Sequence, residues 1–448
     1  MDHRQLYSKL REQLAEPVAV LGYGVEGEST LSLLIKAGFQ QIEVLDRELR
    51  ELPSGVTGCF GREYLSRLQR FKTIIRSAGV RPFLPELVEY RQKGGLLTSQ
   101  VQLFFDLYPG SVVGITGTLG KGGTTMLLSS ALERGGIDHH VGGNIGTPVL
   151  DLLQLEETPR WTLLELSSFQ LMGLRASPEI TLILRTTSEH LDWHTSVEEY
   201  RAAKSDLVKS QRTDQLCIFC GASEGSRWIS SRSPAQKESV ANSGKSLFSI
   251  DQEGLHLPDG PLSIDECRVT GAFMLENMAA ASAAALKCGV SPSDLRAALT
   301  EFTGLQYRLQ FVGEAGGIRY YNDSYATRPE ATIAAIKSFS SPVALILGGS
   351  EKYADFAQLF EAIAHNDHVV HCALIGETAE RIFTGLQGRV NSVRSASSLA
   401  AAVEECEEKL PQGGVVLLSP ACASFGLFKN YKERGAAFDL LVKERMAK

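Results

Sequence analysis

The stretch Gly114–Leu128, with the sequence GITGTLGKGGTTMLL, decides the fold because it joins an apolar strand to a helix through a glycine-rich turn. In that setting the backbone N–H groups at the start of the helix attract phosphate oxygens, and Lys121 adds a positive charge. The usual P-loop has glycine, any four residues, and then Gly-Lys-Ser/Thr. Here Ile115 occupies the position of the first glycine, and Gly122 replaces the hydroxyl residue. The stretch therefore predicts a phosphate loop, with a damaged nucleotide site or a turn without chemistry as the alternatives.

Length, composition and charge limit the class of protein. The 448 residues are too many for one hydrophobic core, so two to four domains are expected. Hydrophobic residues make up 43% and charged residues 22%, as is ordinary for a soluble globular protein. The net charge of -7 argues against a nucleic acid partner, because phosphate backbones require clustered Lys and Arg.

The sequence predicts a cytoplasmic location without membrane insertion. The first residues, MDHRQLYSKLREQL, are charged and amphipathic, and no apolar run is long enough to span a membrane. The 8 cysteines are scattered, and only Cys217 and Cys220 form a CxxC pair, within the apolar segment LCIFC. Because no second CxxC follows, we predict structural thiols in a reducing compartment.

Alternation of strands and helices predicts an α/β fold built from three blocks of parallel sheet, whose sites lie beyond the carboxyl ends of the strands. The predicted domains are residues 1–103, 104–305 and 306–448. The Ser-rich region 223–249 is expected to be a surface excursion of the second block. The predicted strands lie near residues 18–21, 42–45, 112–115, 161–166, 180–184, 216–219, 343–347, 373–375 and 415–418.

A second glycine motif follows the first predicted strand. Gly22, Gly24 and Gly27 match GxGxxG, and Asp46 ends the next strand near the distance at which a ribose-binding acid is expected. Taken by itself, this pattern fits an NAD or FAD site. It equally fits a loop that holds another nucleotide diphosphate, such as a UDP-sugar, or a tight turn that binds nothing.

Further polar residues in the second block suggest a metal-assisted site. Asn144 presents an amide in the turn GGNIGTP, and Glu165 ends an apolar strand where magnesium beside a phosphate loop would need a carboxylate; a helix cap or core-edge acid is the alternative. His190 and His194, in HLDWH, lack the cysteine partners or HExxH spacing that zinc would favour. His365, His368 and His371 are predicted to be surface residues.

Taken in order, these segments resemble the Mur ligase family over essentially the whole chain, and within it the member that adds D-glutamate. The short phosphate loop TGTxGK of that family accounts for the missing glycine at position 115. The segments that carry the resemblance are TGTLGK, GGNIGTP, LELSSFQL, HLD followed by YRAAK, TGLQYR, NDSYAT, LGGSEKYADF and SPACASFGLFKNYKERG.

The resemblance implies three domains. An N-terminal Rossmann-like domain binds the UDP-sugar, a central P-loop ATPase-like parallel-sheet domain binds ATP, and a C-terminal Rossmann-like domain receives the amino acid and closes over both. The implied reaction joins D-glutamate to UDP-N-acetylmuramoyl-L-alanine through an acyl phosphate, in peptidoglycan precursor synthesis. It implies ATP, two Mg²⁺ ions and a carbamate formed from carbon dioxide on Lys204. We expect a monomer.

The family motifs also imply roles for individual residues. Lys121, Glu165, His190 and Lys204 are the expected catalytic group, and Glu165, His190, carbamylated Lys204 and, as an alternative ligand, Thr124 are expected at magnesium. The expected ATP contacts are Gly117, Thr118, Gly120, Lys121, Gly122, Gly123, Thr124, Asn277, Arg308 and Asp323. The expected UDP-substrate contacts are Gly22, Tyr23, Gly24, Val25, Asp46, Arg47, Asn144 and His190. The expected D-glutamate contacts are Thr327, Lys352, Ser424, Phe425 and Tyr431.

This chain departs from the family pattern at several positions around ATP and magnesium. Arg185 begins RTTSE where the pattern has Asn-x-Thr-x-Asp, and Phe273 and Met274 replace a His-Asn pair. Tyr325, Arg328 and Ser350 replace other motif residues, in addition to Gly122. Alternative functions are a relative that adds another amino acid such as L-glutamate, a degenerate ligase kept as a binding module, and an NAD oxidoreductase.

Overall fold

The computed structural model describes residues 3–190, 193–243, 247–269, 273–351, 354–390 and 392–447. The strands are β1 Val18–Leu21, β2 Ile42–Asp46, β3 Thr57–Phe60, β4 Thr73–Arg76, β5 Leu96–Ser99, β6 Val112–Thr116, β7 His139–Gly143, β8 Trp161–Glu165, β9 Ile180–Ile183, β10 Leu216–Cys220, β11 Gln236–Val240, β12 Ile250–Asp251, β13 Gly254–Leu257, β14 Gly260–Leu262, β15 Gln310–Ala315, β16 Ile318–Asn322, β17 Val343–Leu347, β18 Val369–Leu374, β19 Val393–Ser395 and β20 Val415–Leu418. The helices are α1 His3–Gln13, α2 Val25–Lys36, α3 Pro85–Gln92, α4 Gln100–Leu107, α5 Lys121–Arg134, α6 Val149–Leu152, α7 Ser168–Leu171, α8 Val197–Ser205, α9 Glu224–Ser230, α10 Met274–Cys288, α11 Pro292–Glu301, α12 Pro329–Ile336, α13 Ala357–Ala364, α14 Ala379–Leu386, α15 Leu399–Lys409 and α16 Tyr431–Met446. Short 3₁₀ helices lie at Gly61–Glu63, Leu68–Arg70 and Ile264–Glu266.

The first sheet is parallel, in the order β3-β2-β1-β4-β5. Its central strand β1 is buried along its whole length, as expected of an apolar strand covered on both faces. The turn from β1 into α2 needs its glycines: Gly22 has φ +89°, and a Cβ added at Gly27 would lie 2.3 Å from the Gly22 carbonyl oxygen. The predicted βαβ start is therefore confirmed.

The second sheet is also parallel, in the order β11-β10-β9-β6-β8-β7, with β6 between β9 and β8. The glycine-rich loop therefore leaves the sheet at its centre. The Ser-rich region is not an excursion, because it contains α9 and the edge strand β11, which pairs with β10. That expectation was wrong because β11, QKESV, is a polar edge strand with no apolar pattern. The short antiparallel sheet β12-β13-β14 follows.

The third sheet has the order β15-β16-β20-β17-β18-β19. All of its neighbouring strands pair in parallel except β15 and β16, which form an antiparallel pair. Strands β17 and β20 are entirely buried. The α/β class with parallel sheets is therefore confirmed, and the antiparallel pair at one edge is an addition that the sequence pattern did not predict.

The chain divides into two compact units, one made of Met1–Leu262 with Leu275–Ala298 and the other of Ser263–Met274 with Leu299–Lys448. The first two sheets share the first unit and one hydrophobic cluster, which contains Val20 of β1, Phe104 of α4 and Leu164 of β8. Within the described part of the chain, no helix is both long enough and apolar enough to cross a membrane.

Candidate active site

The glycine-rich loop between β6 and α5 has the geometry of a phosphate-binding turn. Gly117 has φ +153° and Gly120 has φ +81°. A Cβ added at Gly117 would lie 2.7 Å from the Leu184 Cβ, and one at Gly120 would lie 2.1 Å from the Asn277 Nδ2. Only glycine fits both positions, and Gly120 is the residue before the first turn of α5. The free N–H groups of that turn can donate hydrogen bonds to phosphate oxygens.

Side chains and backbone hold this loop in place. The Thr118 N–H donates to the Arg185 carbonyl over 2.9 Å, and the Thr187 N–H donates to the Thr118 hydroxyl over 3.0 Å. The same hydroxyl lies 2.9 Å from the Tyr200 hydroxyl of α8. The Lys121 Nζ donates to the Thr118 carbonyl over 3.2 Å, so its ammonium lies over the loop. The predicted loop residues are therefore brought together.

Lys204, on α8, lies beneath the loop and is only 1% exposed. Its Nζ donates to the Gly117 carbonyl over 2.7 Å and to the Thr116 hydroxyl over 3.4 Å. Burial lowers the pKa of Lys204 well below its usual value, and the charge of Lys121 lowers it further, against the opposing effect of Glu189 and Glu165. The structure therefore favours the neutral amine at this position.

Glu165 and Thr124 offer buried oxygen atoms to the same region. Glu165 ends β8, and its Oε1 accepts a hydrogen bond of 2.9 Å from the Asn144 amide. Its Oε2 and the Thr124 Oγ1 are both buried, and neither has a hydrogen-bond partner in the part of the chain that the structure describes. Carboxylate and hydroxyl oxygens are the ligands that Mg²⁺ prefers, so these residues fit a magnesium ion.

The two histidines of the second block differ in their surroundings. The His190 ring is partly exposed, and its Nε2 lies 3.6 Å from the Glu189 carboxylate. His194 is buried, stacks on Phe169, and lies 2.9 Å from the Ser168 hydroxyl through its Nε2. Burial lowers the pKa of His194. The His190 ring is therefore accessible to a bound ligand, whereas His194 is part of the buried core.

The second glycine motif lines a cavity of about 680 Å³. Asp46 shapes its wall, because its carboxylate accepts hydrogen bonds from the Tyr23 N–H over 2.6 Å and the Glu48 N–H over 2.8 Å. The predicted UDP-substrate residues Gly22, Tyr23, Gly24, Val25, Asp46 and Arg47 all line this cavity. Asn144 and His190 are not among its lining residues.

Sequence reasoning missed other residues of this cavity, in particular Arg81 and Trp193. The Arg81 Nη2 lies 2.6 Å from the Glu199 Oε1, and its guanidinium carbon lies 5.3 Å from the centre of a Trp193 ring. The Trp193 Nε1 donates to the Gly79 carbonyl over 3.4 Å. The sequence signal that could have indicated Arg81 is its place a few residues after the apolar segment of β4, which was not among the predicted strands.

In the second unit, Asp323 follows β16 and is almost fully buried. It accepts hydrogen bonds from the Ser419 hydroxyl over 2.7 Å and the Leu309 N–H over 3.1 Å. Burial nevertheless raises the pKa of Asp323 to about 7. The guanidinium of Arg308 lies 3.9 Å from the ring centre of Tyr325.

The described residues among those predicted to bind the amino acid lie after β16, after β20 and at the start of α16. The Thr327 N–H donates to the Tyr325 carbonyl over 2.8 Å. Ser424 is buried after β20, Phe425 beside it is exposed, and Tyr431 opens α16. Lys352 lies outside the described residues.

The three closely spaced histidines do not share the predicted surface position. His365 and His368 are exposed, but His371 is 1% exposed on β18. Its Nδ1 lies 2.9 Å from the Ser392 hydroxyl, and burial lowers its pKa to about 4. The prediction was wrong for His371 because β18 lies between β17 and β19 in the sheet, and almost all of its residues are buried.

Comparison with known proteins places this geometry in a family. The family model of the Mur ligase middle domain matches residues 115–285, and that of the Mur ligase glutamate ligase domain matches residues 307–422. A UDP-N-acetylmuramoylalanine–D-glutamate ligase of Acidobacterium capsulatum is 36% identical, over 97% of this chain and 98% of the relative. The chain belongs to the Mur ligase family. The corresponding ligase of Symbiobacterium thermophilum is 32% identical, over 96% of this chain and 98% of its own.

Solved Mur ligases share the fold. The MurF ligase of Thermotoga maritima, in complex with ADP, has a TM-score of 0.55 at 15% identity and covers 97% of both chains. MurC of the same organism has a TM-score of 0.53 at 15% identity, over 96% of this chain and 99% of its own. The resemblance drawn from the motifs is therefore confirmed.

Proposed function

We propose that this chain is an ATP-dependent ligase that adds D-glutamate to UDP-N-acetylmuramoyl-L-alanine in peptidoglycan precursor synthesis. The observation that carries the proposal is the buried Lys204 amine beneath a phosphate loop, in a chain whose full-length relatives are D-glutamate ligases. A glycine-rich turn alone would serve many enzymes. The lowered pKa of the buried Lys204 beside that turn distinguishes this site from such a turn.

The proposed reaction joins two anions and then forms an amide. The alanyl carboxylate attacks the γ-phosphate of ATP, which gives an acyl phosphate and ADP. The amine of D-glutamate then attacks the acyl carbon, and phosphate leaves. The first step brings like charges together, so fixed positive charge must offset their repulsion. Lys121 and the first-turn N–H groups of α5 supply it, with Gly117, Thr118, Gly120, Gly122 and Gly123 shaping the loop.

Magnesium fits the donor set around this loop. When bound, it would neutralise charge on the phosphates as they react. Glu165 and the Thr124 hydroxyl are proposed to hold one ion, since both offer a buried oxygen without a described partner. His190 and Lys204 are proposed to hold the second. Thr124 would thus provide the hydroxyl that Gly122 lacks.

Lys204 is proposed to act as a carbamate. The lone pair of its neutral Nζ attacks the carbon of carbon dioxide, one N–H proton is released to solvent, and an anionic N-carboxylate remains. The lowered pKa supports this step, because only the neutral amine has a free lone pair. An anion at this position would also attract a cation, which an ammonium would repel.

The other proposed roles follow the motifs. The 680 Å³ cavity is proposed to hold the uridine diphosphate against Gly22–Val25, Asp46 and Arg47, with Asn144 and His190 directed at the sugar-peptide part. Asn277 is proposed on the adenine side, and Arg308 and Asp323 at ATP. The proposed D-glutamate contacts are Thr327, Lys352, Ser424, Phe425 and Tyr431.

The proposed domains are 1–103 for the UDP-sugar, 104–305 for ATP and 306–448 for the amino acid. We also propose a monomer that acts in the cytoplasm.

The product tests the proposal. The chain is incubated with ATP, Mg²⁺, UDP-N-acetylmuramoyl-L-alanine and D-glutamate, and the UDP-linked compound is analysed by mass spectrometry. We expect a product heavier by one glutamyl residue, and none when ATP is left out. An unchanged substrate mass under all conditions would favour the binding module over the enzyme.

A further inference from the structure

An ion pair between Arg185 and Glu276 joins two elements that flank the phosphate loop. Arg185 follows β9, and Glu276 lies in the first turn of α10, 91 residues further along the chain. The Arg185 Nε donates to the Glu276 Oε2 over 2.7 Å, and its Nη2 donates to the Oε1 of the same carboxylate. Such a two-pronged contact fixes the orientation of both groups as well as their separation.

The pair is largely shielded from water. The side chains of Arg185 and Glu276 are 23% and 15% exposed. The hydrogen bonds to Glu276 raise the pKa of Arg185. A contact with this geometry and burial is more than a surface ion pair, whose contribution is usually small.

Both partners are connected to the phosphate loop. The Arg185 carbonyl accepts the Thr118 N–H over 2.9 Å and the Leu119 N–H over 3.4 Å. Glu276 directly precedes Asn277, whose Nδ2 would lie only 2.1 Å from a Cβ added at Gly120. The ion pair therefore connects the segment whose backbone holds the loop to the segment that carries the Asn277 amide.

We propose that Arg185 and Glu276 are a positioning pair for ATP, which rests on the proposed function of the loop as the ATP site. The pair holds Asn277 and the loop backbone in the arrangement that the nucleotide needs. Arg185 stands where the family pattern has asparagine, and α10 opens at Met274 where the pattern has the second residue of a His-Asn pair. The departures at positions 185 and 273–274 thus coincide with an ionic link that ties the same two segments together.

Equilibrium binding of ATP, measured by calorimetry with Mg²⁺ and no other substrate, tests this role. Glu276→Gln keeps the size of the side chain and removes its charge. We expect the dissociation constant and the KM for ATP to rise about tenfold, because misplaced binding groups lose much of their effect. The KM for D-glutamate should change less than twofold. A purely structural role would lower the melting temperature without this selective effect.

A second ion pair in the same unit provides the matched control. The Arg296 guanidinium, on α11, binds Asp259, between β13 and β14, through Nε over 2.6 Å and Nη2 over 3.1 Å. Asp259→Asn should leave ATP affinity within twofold of the unmodified chain, whatever its effect on the melting temperature. Equal ATP affinity in Glu276→Gln and Asp259→Asn would overturn the proposal.

If Glu276→Gln does not fold, the same binding measurement is made on Arg185→Lys. This variant keeps the positive charge but loses the planar guanidinium that contacts both carboxylate oxygens. We therefore expect about threefold weaker ATP binding. Unchanged ATP affinity in this variant would equally overturn the positioning role. Because the binding assay contains ATP and Mg²⁺ but no other substrate, an unmodified chain that binds ATP but forms no amide contradicts only the proposed function. An unmodified chain that binds no ATP contradicts both.

Discussion

The Nζ of Lys204 donates a hydrogen bond of 2.7 Å to the carbonyl oxygen of Gly117, and the lysine is only 1% exposed. An ammonium here would be held next to a second cation, Lys121, at the base of a loop built for anions. The neutral amine of Lys204 avoids repulsion by Lys121. Conversion of that amine to an anionic carbamate would replace the repulsion with attraction. This hydrogen bond therefore connects the phosphate loop with the lowered pKa of Lys204 and with the proposed carbamate.

Replacing Lys204 should abolish most activity. We expect Lys204→Ala to lose about 100-fold in kcat, the order of loss seen when one electrostatic group is removed from a reacting site. Lys209→Ala is the control, because that lysine is exposed and lies 2.6 Å from Asp206. Phosphate release measures both, and added short carboxylic acids should restore part of the Lys204→Ala activity. Unchanged activity in buffer free of carbon dioxide and carboxylates would contradict the carbamate.

The Thr124 hydroxyl should set the magnesium requirement. Thr124→Val keeps the shape of the side chain and removes the buried oxygen without a described partner. We expect the Mg²⁺ concentration for half-maximal activity to rise about tenfold, as for loss of one ligand or its orienting partner. The neighbouring Thr125→Val removes a hydroxyl that donates to the Lys121 carbonyl, and its magnesium requirement should not change. The same shift in both variants would rule out a specific role for Thr124.

Asp323 should make the stability of the protein depend on pH. Its folded pKa of about 7 lies above the unfolded value of about 3.9, so the folded state retains a proton between these values that the unfolded chain releases. Stability from this residue is therefore present at pH 4 and is lost as the pH rises through 7, by up to about 4 kcal/mol. Asp323→Asn should remove this pH-dependent loss of stability, because an amide does not titrate.

Thermal melting at pH 4.5 and pH 8 measures this effect. The melting temperature of Asp323→Asn relative to the unmodified chain should rise with pH. Asp367→Asn, at an exposed position, should show no such trend. An equal shift of Asp323→Asn at both pH values would mean that the carboxyl titrates normally.

Replacing Arg81 should weaken binding of the UDP-substrate and leave binding of ATP unchanged. It lines the cavity formed by the second glycine motif, where an anionic ligand would meet its charge. We expect Arg81→Met to raise the KM for UDP-N-acetylmuramoyl-L-alanine about fivefold, which corresponds to roughly 1 kcal/mol, and to leave the KM for ATP unchanged. Arg70→Met, which breaks an ion pair with Glu43 outside the cavity, is the control. Steady-state kinetics that show no difference between the two variants would exclude Arg81 from substrate binding.

The sequence could predict features that depend on neighbouring residues. Both glycine motifs, the buried strands before them and Glu165 at a strand end follow from local pattern, and the structure has them where they were expected. Contacts between distant segments could not be predicted. Nothing local indicates that Arg185 pairs with Glu276, or that Arg81 approaches Trp193. Similarly, the polar strand β11 and the buried His371 are determined by their neighbours in the sheets.

Phosphate release with each amino acid supplied singly decides whether this chain is a D-glutamate ligase. The unmodified chain is given ATP, Mg²⁺ and UDP-N-acetylmuramoyl-L-alanine, with D-glutamate, L-glutamate or another amino acid. We expect phosphate release with D-glutamate that stops when any one of the substrates is left out. Release with L-glutamate in place of D-glutamate, or none above background with any amino acid, would contradict it.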